Sequence, residues 1–299
     1  MRFGLITPVV TRFPGRHAAW ERDATADDLR RIAEAADRLG YHHLTCSDHV
    51  GIPSEVAKVR GATYYDPFST LGFFAAVTKR IKLLTHVLVL PYYHPLEVAK
   101  RLGTLDRLSN ERVIAGVGVG TLREEFELLG IEFEGRGERY EDALRALRAA
   151  FGGPTPEYRG AHYEFRGTVI DPCVRRHMPI WLGGHTPRSL RRALVFGDGW
   201  DPFGLSFERL RALLERARGW GEWRDRSAAF DLVLTAEDNF DMSSAAGIAA
   251  AAEVVERYIT IGATAMNLRF KHATLTEYLD SLEQFAAGIG ARFAGSGPP

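Results

Sequence analysis

A short polar triplet, Ser47-Asp48-His49, directly follows an apolar stretch of the chain at residues 43–46. Imidazole hydrogen-bonds and exchanges protons near neutral pH, so His49 beside Asp48 is the strongest candidate for acid–base chemistry. A structural role for the histidine is the alternative. We therefore treat His49 and Asp48 as candidate catalytic residues whose role depends on where the fold places them.

Three glycines at alternate positions end another apolar stretch: Gly116, Gly118 and Gly120. Thr121 follows them, so the pattern is GxGxG and not the GxGxxG of dinucleotide-binding proteins, and the chain contains no Walker pattern. Glycines at a strand end allow a ligand to approach the backbone closely, while turn geometry alone is the alternative explanation. The three glycines are candidate cofactor contacts.

A glycine pair, Gly183-Gly184, precedes a stretch with helical spacing in which Pro187 suits the first turn. The backbone N–H groups and the dipole of such a helix favour a bound anion, such as a phosphate. Arg188 would add positive charge there, unless its guanidinium is simply solvated. This segment is therefore a candidate phosphate site.

Other patterns of reactive residues are weaker. The histidines have no metal-binding spacing, so no metal site is expected, and the GxSxG motif of hydrolases is absent. Glu124, Glu125 and Glu127 form an acidic run that predicts a solvated helix face rather than a catalytic carboxylate pair. His86 lies within an apolar stretch, which favours a buried interior residue over a ligand-binding one. One aromatic set would either line a pocket for a planar ring or pack in the core: Tyr64, Tyr65, Phe68, Tyr92 and Tyr93.

Composition limits the possible partners. Lys+Arg and Asp+Glu are both 38 among 299 residues, so no overall positive field would attract nucleic acid or an anionic membrane. Two cysteines, Cys46 and Cys173, are too few for a disulfide framework, and the N-terminus lacks the pattern of a signal peptide. No apolar stretch is long enough to span a membrane. These features predict a cytoplasmic protein.

Strand-like and helix-like stretches alternate along the chain, and the candidate residues lie at or just after the ends of predicted strands. Eight strand–helix pairs predict an α/β fold of the (β/α)8 TIM-barrel type, with an open doubly wound sheet as the alternative. The predicted strands cover residues 3–7, 43–46, 81–88, 112–117, 179–182, 199–202, 230–235 and 265–268. The predicted helices cover residues 26–39, 67–78, 95–108, 136–150, 187–196, 207–220, 245–261 and 275–289.

No linker divides the chain, which favours a single domain over residues 1–299. An insertion over residues 152–178 separates the fourth helix from the fifth strand and is too long for an ordinary loop. The tail at residues 295–299 is small and polar and is predicted to be disordered. Because TIM-barrel active sites lie at the carboxyl ends of the strands, we expect His49 and the two glycine clusters to meet there.

Five segments together resemble the bacterial luciferase-like monooxygenase superfamily, and within it the branch that uses the deazaflavin coenzyme F420. Each segment is weakly specific alone, but their order and spacing over residues 3–290 are specific. The segments are DDLRRIAEAADRLGY continued by HHLTCSDHV, KRIKLLTHVLVLPYYHPLEVAKRLGTLDRLSNERVIAGVGVG, EEFELLGIEFEGRGERYEDALRAL and MPIWLGGHTPRSLRRALVFGDGW.

The resemblance implies roles for several positions. It places His49 beside the reactive centre of the deazaflavin. Thr85, His86 and Val87 match a bulged third strand that holds a non-prolyl cis peptide against the coenzyme ring, and we place that bond at His86-Val87. The first glycine cluster corresponds to the end of the fourth strand near the coenzyme, and the Gly183-Gly184 pair to the turn on its phosphate side.

The implied reaction is hydride transfer between coenzyme F420 and a small organic substrate. Sugar-phosphate dehydrogenases of this branch carry Glu where this chain has Thr121, which argues against a sugar phosphate as substrate. Three alternatives are an FMN-dependent monooxygenase supplied by a flavin or F420 reductase, a non-catalytic barrel that binds a flavin, and a metal-free hydrolase or lyase. Similar proteins also suggest a homodimer.

Overall fold

The computed structural model describes residues 1–293, so the predicted tail at residues 295–299 lies outside the described residues. Eight strands, most of whose residues are buried, form its centre, as expected for a parallel sheet covered by helices. They are β1 (Arg2–Leu5), β2 (His43–Cys46), β3 (Lys82–Thr85), β4 (Val113–Gly118), β5 (Ile180–Gly183), β6 (Gly199–Asp201), β7 (Asp231–Thr235) and β8 (Ala265–Leu268).

The sheet closes on itself. The strands are parallel and follow one another around the ring in chain order. β8 pairs with β1, as in Phe3↔Met266, and β4 pairs with β5, as in Trp181↔Gly116. Because all eight neighbouring strands pair, the prediction of a (β/α)8 TIM barrel is confirmed and the open sheet is wrong.

Each strand is followed by a helix of the outer layer. These are α1 (Ala26–Leu39), α2 (Pro67–Val77), α3 (Pro95–Leu108), α4 (Arg136–Ala150), α5 (Pro187–Phe196), α6 (Phe207–Ala217), α7 (Ala245–Thr260) and α8 (Leu275–Phe285). Within the part of the chain that the structure describes, no helix is long and apolar enough to cross a membrane.

Local capping signals set the helix limits. Thr25 accepts a hydrogen bond from Asp28 N at 3.3 Å at the start of α1, and Gly40 ends that helix at φ 81. The predicted limits of α1, α3, α4 and α5 are confirmed to the residue. The other four helices end earlier than predicted, and a π-helical turn, Ala286–Gly290, follows α8.

The third strand is interrupted, so the prediction of one continuous strand over residues 81–88 is wrong. β3 ends at Thr85, and strand pairing resumes only at Leu88–Val89, which pairs with β4. Between the two segments the His86–Val87 peptide bond is cis, where the resemblance placed it. His86 N still donates a hydrogen bond to Cys46 O of β2 at 2.7 Å, but neither His86 nor Val87 belongs to a strand, and both side chains lie at the barrel mouth.

The insertion over residues 152–178 lies between α4 and β5, as predicted. It contains an antiparallel pair, Tyr158–Arg159 with Glu164–Phe165. Asp142 of α4 accepts a hydrogen bond from the Tyr158 hydroxyl at 2.6 Å. The insertion thus packs against the outer helical layer.

A buried arginine ties the amino-terminal side of β4 to α2. Arg112 is 4% exposed and donates hydrogen bonds to the carbonyl oxygens of Ala75, Thr78, Ile81 and Ser109, at 2.6 to 3.1 Å. The Thr78 hydroxyl accepts a further bond at 2.7 Å. The guanidinium therefore serves as a donor for four backbone carbonyls at this corner.

We expect Arg112→Met to lower the free energy of unfolding by at least about 3 kcal/mol, because it leaves several buried carbonyls without a donor. Urea denaturation followed by circular dichroism would measure the loss. Arg107→Met is the matched control, since Arg107 is exposed on α3 and its substitution should change the free energy by less than about 0.5 kcal/mol. Equal effects of the two substitutions would contradict this account.

Candidate active site

A cleft of about 1240 Å³ opens at the carboxyl ends of the barrel strands. That position and size suit an active site for a cofactor with a substrate. Nine of the eleven predicted site residues line the cleft. They are Asp48, His49, His86, Val87, Gly118, Gly120, Gly183, Gly184 and Arg188.

The structure does not bring the other two predicted residues, Thr85 and Gly116, to the cleft. The Thr85 hydroxyl donates a hydrogen bond to Gly116 O at 2.7 Å. A Cβ atom added to Gly116 would lie 1.8 Å from Thr85 O, so only glycine allows these strands to approach so closely. Thr85 and Gly116 thus lie behind the residues that line the cleft.

Val87 forms a small apolar platform between two of the predicted glycines. A Cβ atom would lie 2.6 Å from Val87 Cγ2 if added to Gly118, and 2.9 Å from Val87 Cγ1 if added to Gly183. The valine side chain therefore rests on the two bare backbones at the ends of β4 and β5. The result is an apolar surface that lines the cleft.

His49 is held by a buried carboxylate that the sequence pattern did not reveal. Its Nδ1 atom lies 2.8 Å from Glu125 Oε2, and the Glu125 side chain is fully buried. The prediction of a solvated face is thus wrong for Glu125, although Glu124 and Glu127 are exposed. Glu125 lies in the short helix Arg123–Leu128 and reaches across from β4 to the loop after β2.

Glu125 is enclosed by further donors. Tyr92 donates its hydroxyl to Oε2 at 2.9 Å, and Val50 N donates to Oε1 at 2.5 Å. Burial alone would raise the pKa of Glu125, but the hydrogen bonds from His49, Tyr92 and Val50 outweigh it and lower that pKa. Because Glu125 is ionised, it accepts the Nδ1 proton of His49, and Nε2 is not used in this contact. The ring of Tyr64 packs against His49 with centroids 4.4 Å apart.

Asp48 faces the wall of the cleft, and both of its carboxylate oxygens accept hydrogen bonds. Its Oδ2 accepts a hydrogen bond from Val89 N at 2.9 Å, and its Oδ1 accepts one from the Tyr93 hydroxyl at 3.1 Å. Burial raises the pKa of Asp48 to about 6. Asp48 therefore fixes the strand segment that follows the cis bond, and His49 is the more accessible of the two candidates.

The Gly183-Gly184 pair leads from β5 into α5, as predicted. Gly184 adopts φ 113, and Thr186 caps α5 by accepting from Ser189 N at 3.1 Å. That N–H group is therefore already used within the helix cap. Three arginines line this side of the cleft: Arg136, Arg188 and Arg192. Of these, only Arg188 was predicted.

A hydrogen-bonded polar cluster fills the barrel interior beneath the cleft. Asn267 Oδ1 accepts from His43 Nε2 at 2.6 Å, and Asn267 Nδ2 donates to Asp201 Oδ1 at 2.9 Å. His86 Nε2 lies 3.2 Å from Asp201 Oδ2. His86 thus joins the interior, as the sequence indicated, and also lines the cleft. Among residues 1–293, no three His, Cys, Asp or Glu side chains are grouped as a metal ion requires.

Comparisons of sequence agree with this architecture. A family model described as luciferase-like monooxygenase matches residues 1–284. An uncharacterised protein of Mycobacterium tuberculosis is 30% identical over 221 residues, which cover 70% of this chain and 76% of that protein. The phthiodiolone/phenolphthiodiolone dimycocerosates ketoreductase of the same organism is 27% identical over 212 residues, which cover 68% of this chain and 55% of that enzyme.

Two solved structures match the fold with a TM-score of 0.72 at 14% sequence identity. One is the coenzyme F420-dependent tetrahydromethanopterin reductase from Methanopyrus kandleri, covering 98% of this chain and 99% of that one. The other is the FMN complex of the oxygenating constituent of 3,6-diketocamphane monooxygenase from Pseudomonas putida, covering 98% of each chain. At this level of identity the likeness concerns the fold alone.

The raised pKa of Asp48 predicts a pH-dependent stability. The native state binds the Asp48 proton more tightly than the unfolded state does, so its contribution is present below pH about 4 and is lost as pH rises through about 6. Relative to Asp48→Asn, the wild type should therefore lose up to about 3 kcal/mol between pH about 4 and about 7. Urea unfolding at each pH measures the difference, and Asp23→Asn, at an exposed position, is the control. A difference that stays constant over this range would mean that Asp48 titrates normally.

Proposed function

The chain belongs to the luciferase-like monooxygenase family, and on that premise we propose that it is a coenzyme F420-dependent oxidoreductase. In this proposal it transfers a hydride between the deazaflavin and a small organic substrate in the barrel mouth. The observation that carries the proposal is the contact of His49 with buried Glu125 at the cleft. Hydride transfer to or from an oxygen-bearing carbon also moves a proton, which a fixed imidazole supplies or accepts.

The residues at the cleft fit a planar ring system with an anionic tail. The platform of Val87 on Gly118 and Gly183 offers an apolar face to the ring. Arg136, Arg188 and Arg192 offer positive charge to a phosphate near α5. When bound, the deazaflavin supplies a ring carbon that carries the hydride, and it lacks the nitrogen through which flavins react readily with oxygen.

The residues of the cleft would then have different roles in the reaction. His49 holds or releases the proton at Nε2, because its Nδ1 is occupied by Glu125. Glu125 and Tyr64 orient the imidazole and are positioning residues. Asp48 is a positioning residue as well, because both of its oxygens accept hydrogen bonds from the segment after β3. Val87 would keep the ring at the centre of the mouth, within reach of His49.

An FMN-dependent monooxygenase supplied by a flavin or F420 reductase is the second candidate. The FMN complex with the same fold supports it, since the cleft would accept either ring. A barrel that binds a flavin without catalysing a reaction is the third. We further propose that the chain acts as one domain and as a homodimer, which size-exclusion chromatography with light scattering would test.

Titration with coenzyme F420 and with FMN tests the proposal directly. We expect F420 to bind and FMN to bind at least about tenfold more weakly. His49→Ala should keep coenzyme binding within a few-fold and reduce hydride transfer by about 10²-fold to 10⁴-fold, because the proton partner is lost. Rapid mixing with F420 absorbance as the signal measures the transfer. His162→Ala, at an exposed position of the insertion, is the control.

Two outcomes would decide against this function. Tight FMN binding without F420 binding would favour the monooxygenase. An activity that His49→Ala leaves unchanged would remove His49 from the mechanism and favour the non-catalytic barrel. Glu125→Gln serves as a second variant: it keeps a hydrogen-bond acceptor for His49 but lacks the charge, so it should alter the pH profile of transfer more than coenzyme affinity.

A further inference from the structure

One side of the cleft carries polar atoms without partners. Five buried side-chain nitrogen or oxygen atoms in residues 1–293 have no hydrogen-bond partner. Two of the five belong to residues that line the cleft, namely Arg269 Nε and Thr235 Oγ1. Buried polar groups are nearly always satisfied, so these two atoms need a partner that enters from the cleft.

The strand register places these two atoms at the same part of the mouth. Thr235 ends β7 and pairs with Asn267 of β8. The Asn267 side chain points into the barrel, where it contacts His43 and Asp201. Arg269 comes two residues later, so its side chain leaves the backbone on the same side as that of Asn267. The guanidinium and the hydroxyl thus face the cleft from neighbouring strands.

Arg269 has no counter-ion in the described chain. It makes no ion pair or side-chain hydrogen bond among residues 1–293, and burial, followed by the nearby charge of Arg16, lowers its pKa to about 10. It therefore remains charged at neutral pH. Among the acidic residues that line the cleft, Glu237 is the nearest to Arg269 in the sequence. Its Oε1 atom accepts a hydrogen bond from Phe207 N at 2.9 Å and none from Arg269. A half-buried cation without a partner costs stability, which an anionic ligand would recover.

We propose that Arg269 and Thr235 bind a carboxylate of the substrate, so that the enzyme acts on organic acids. This inference rests on the proposed function, because it concerns the same cleft. A planar guanidinium pairs with both oxygens of a carboxylate, and the threonine hydroxyl donates a further hydrogen bond. The phosphate turn follows β5, whereas Arg269 follows β8, so the two anion sites are separate and the coenzyme and substrate occupy different parts of the mouth.

Matched acid and amide ligands test this site without any coenzyme. The probes are benzoate against benzamide and phenylacetate against phenylacetamide, titrated calorimetrically into the full chain. We expect the wild type to bind at least one acid about tenfold more tightly than its amide. Arg269→Gln should weaken acid binding by about tenfold to a hundredfold and leave amide binding unchanged, since it removes a charged hydrogen bond. Arg209→Gln is the control, because Arg209 also lines the cleft but is exposed.

The Thr235→Val variant distinguishes a ligand-binding hydroxyl from a structural one, because the two predict different melting temperatures and acid affinities. The methyl group replaces a hydroxyl without a partner, so the melting temperature of the unliganded protein should stay equal or rise. Acid binding should nevertheless weaken, by about threefold to tenfold. A structural hydroxyl would produce the opposite pattern, with a lower melting temperature and unchanged binding. If the Arg269→Gln variant fails to fold, Thr235→Val and Arg269→Lys replace it in the comparison of acid with amide binding. Arg269→Lys keeps the charge.

Three results would overturn the carboxylate site. The wild type could bind neither acid, or the Arg269→Gln variant could bind the acids as tightly as the wild type does. In the third, the Arg269→Gln substitution weakens F420 binding but not acid binding. The last would assign Arg269 to the coenzyme. Failure of the F420 proposal would appear separately, as missing coenzyme binding with acid binding still dependent on Arg269.

Discussion

The hydrogen bonding of Asn267 at the centre of the barrel is the constraint on which the cleft depends. A polar amide buried among eight strands must satisfy both its oxygen and its nitrogen, and it does so through His43 of β2 and Asp201 of β6. Burial lowers the pKa of His43 to about 4, so its ring is neutral and donates from Nε2. Gly4 makes the arrangement possible, because a Cβ atom there would lie 2.0 Å from the His43 ring. The barrel interior is thus closed below the mouth by a fixed polar layer.

This polar layer determines how His86 and Val87 are arranged in the cleft wall above it. His86 is directed inward to Asp201, and the neighbouring Val87 is directed to the mouth, where it rests on the glycines that end β4 and β5. Strand pairing then resumes at Leu88–Val89, and Asp48 secures that segment through Val89 N. The polar layer, the apolar platform and the loop that carries His49 are therefore connected through consecutive residues.

Local sequence signals predicted most of the fold, and they failed where distant segments meet. Caps such as Thr25 and Gly40 act over a few residues, which is why the limits of four helices agree to the residue. The closure of the sheet, in which β4 meets β5 across the long insertion, follows from the count of eight strand–helix pairs, because no local pattern reports that pairing. Glu125 shows the same limit. It is 76 residues from His49 and lies in a helix of six residues, too short for a periodic pattern to show which glutamate is buried. The partnership with His49 exists only in the folded barrel.

The balanced charge of the chain, 38 basic and 38 acidic residues, hides an uneven distribution at the cleft. Some of the arginines that line it already have partners: Arg192 pairs with Glu141 at 2.8 Å, and Arg136 donates a hydrogen bond to Gly120 O at 3.2 Å. Arg269 differs because its Nε atom is buried and unpartnered. The electrostatic field at a site depends on the nearby charges that have no counter-ion and on how well water screens them. It does not depend on the net charge of the whole protein. A protein without net charge can therefore select an anion at a half-buried guanidinium of its mouth that has no counter-ion among residues 1–293.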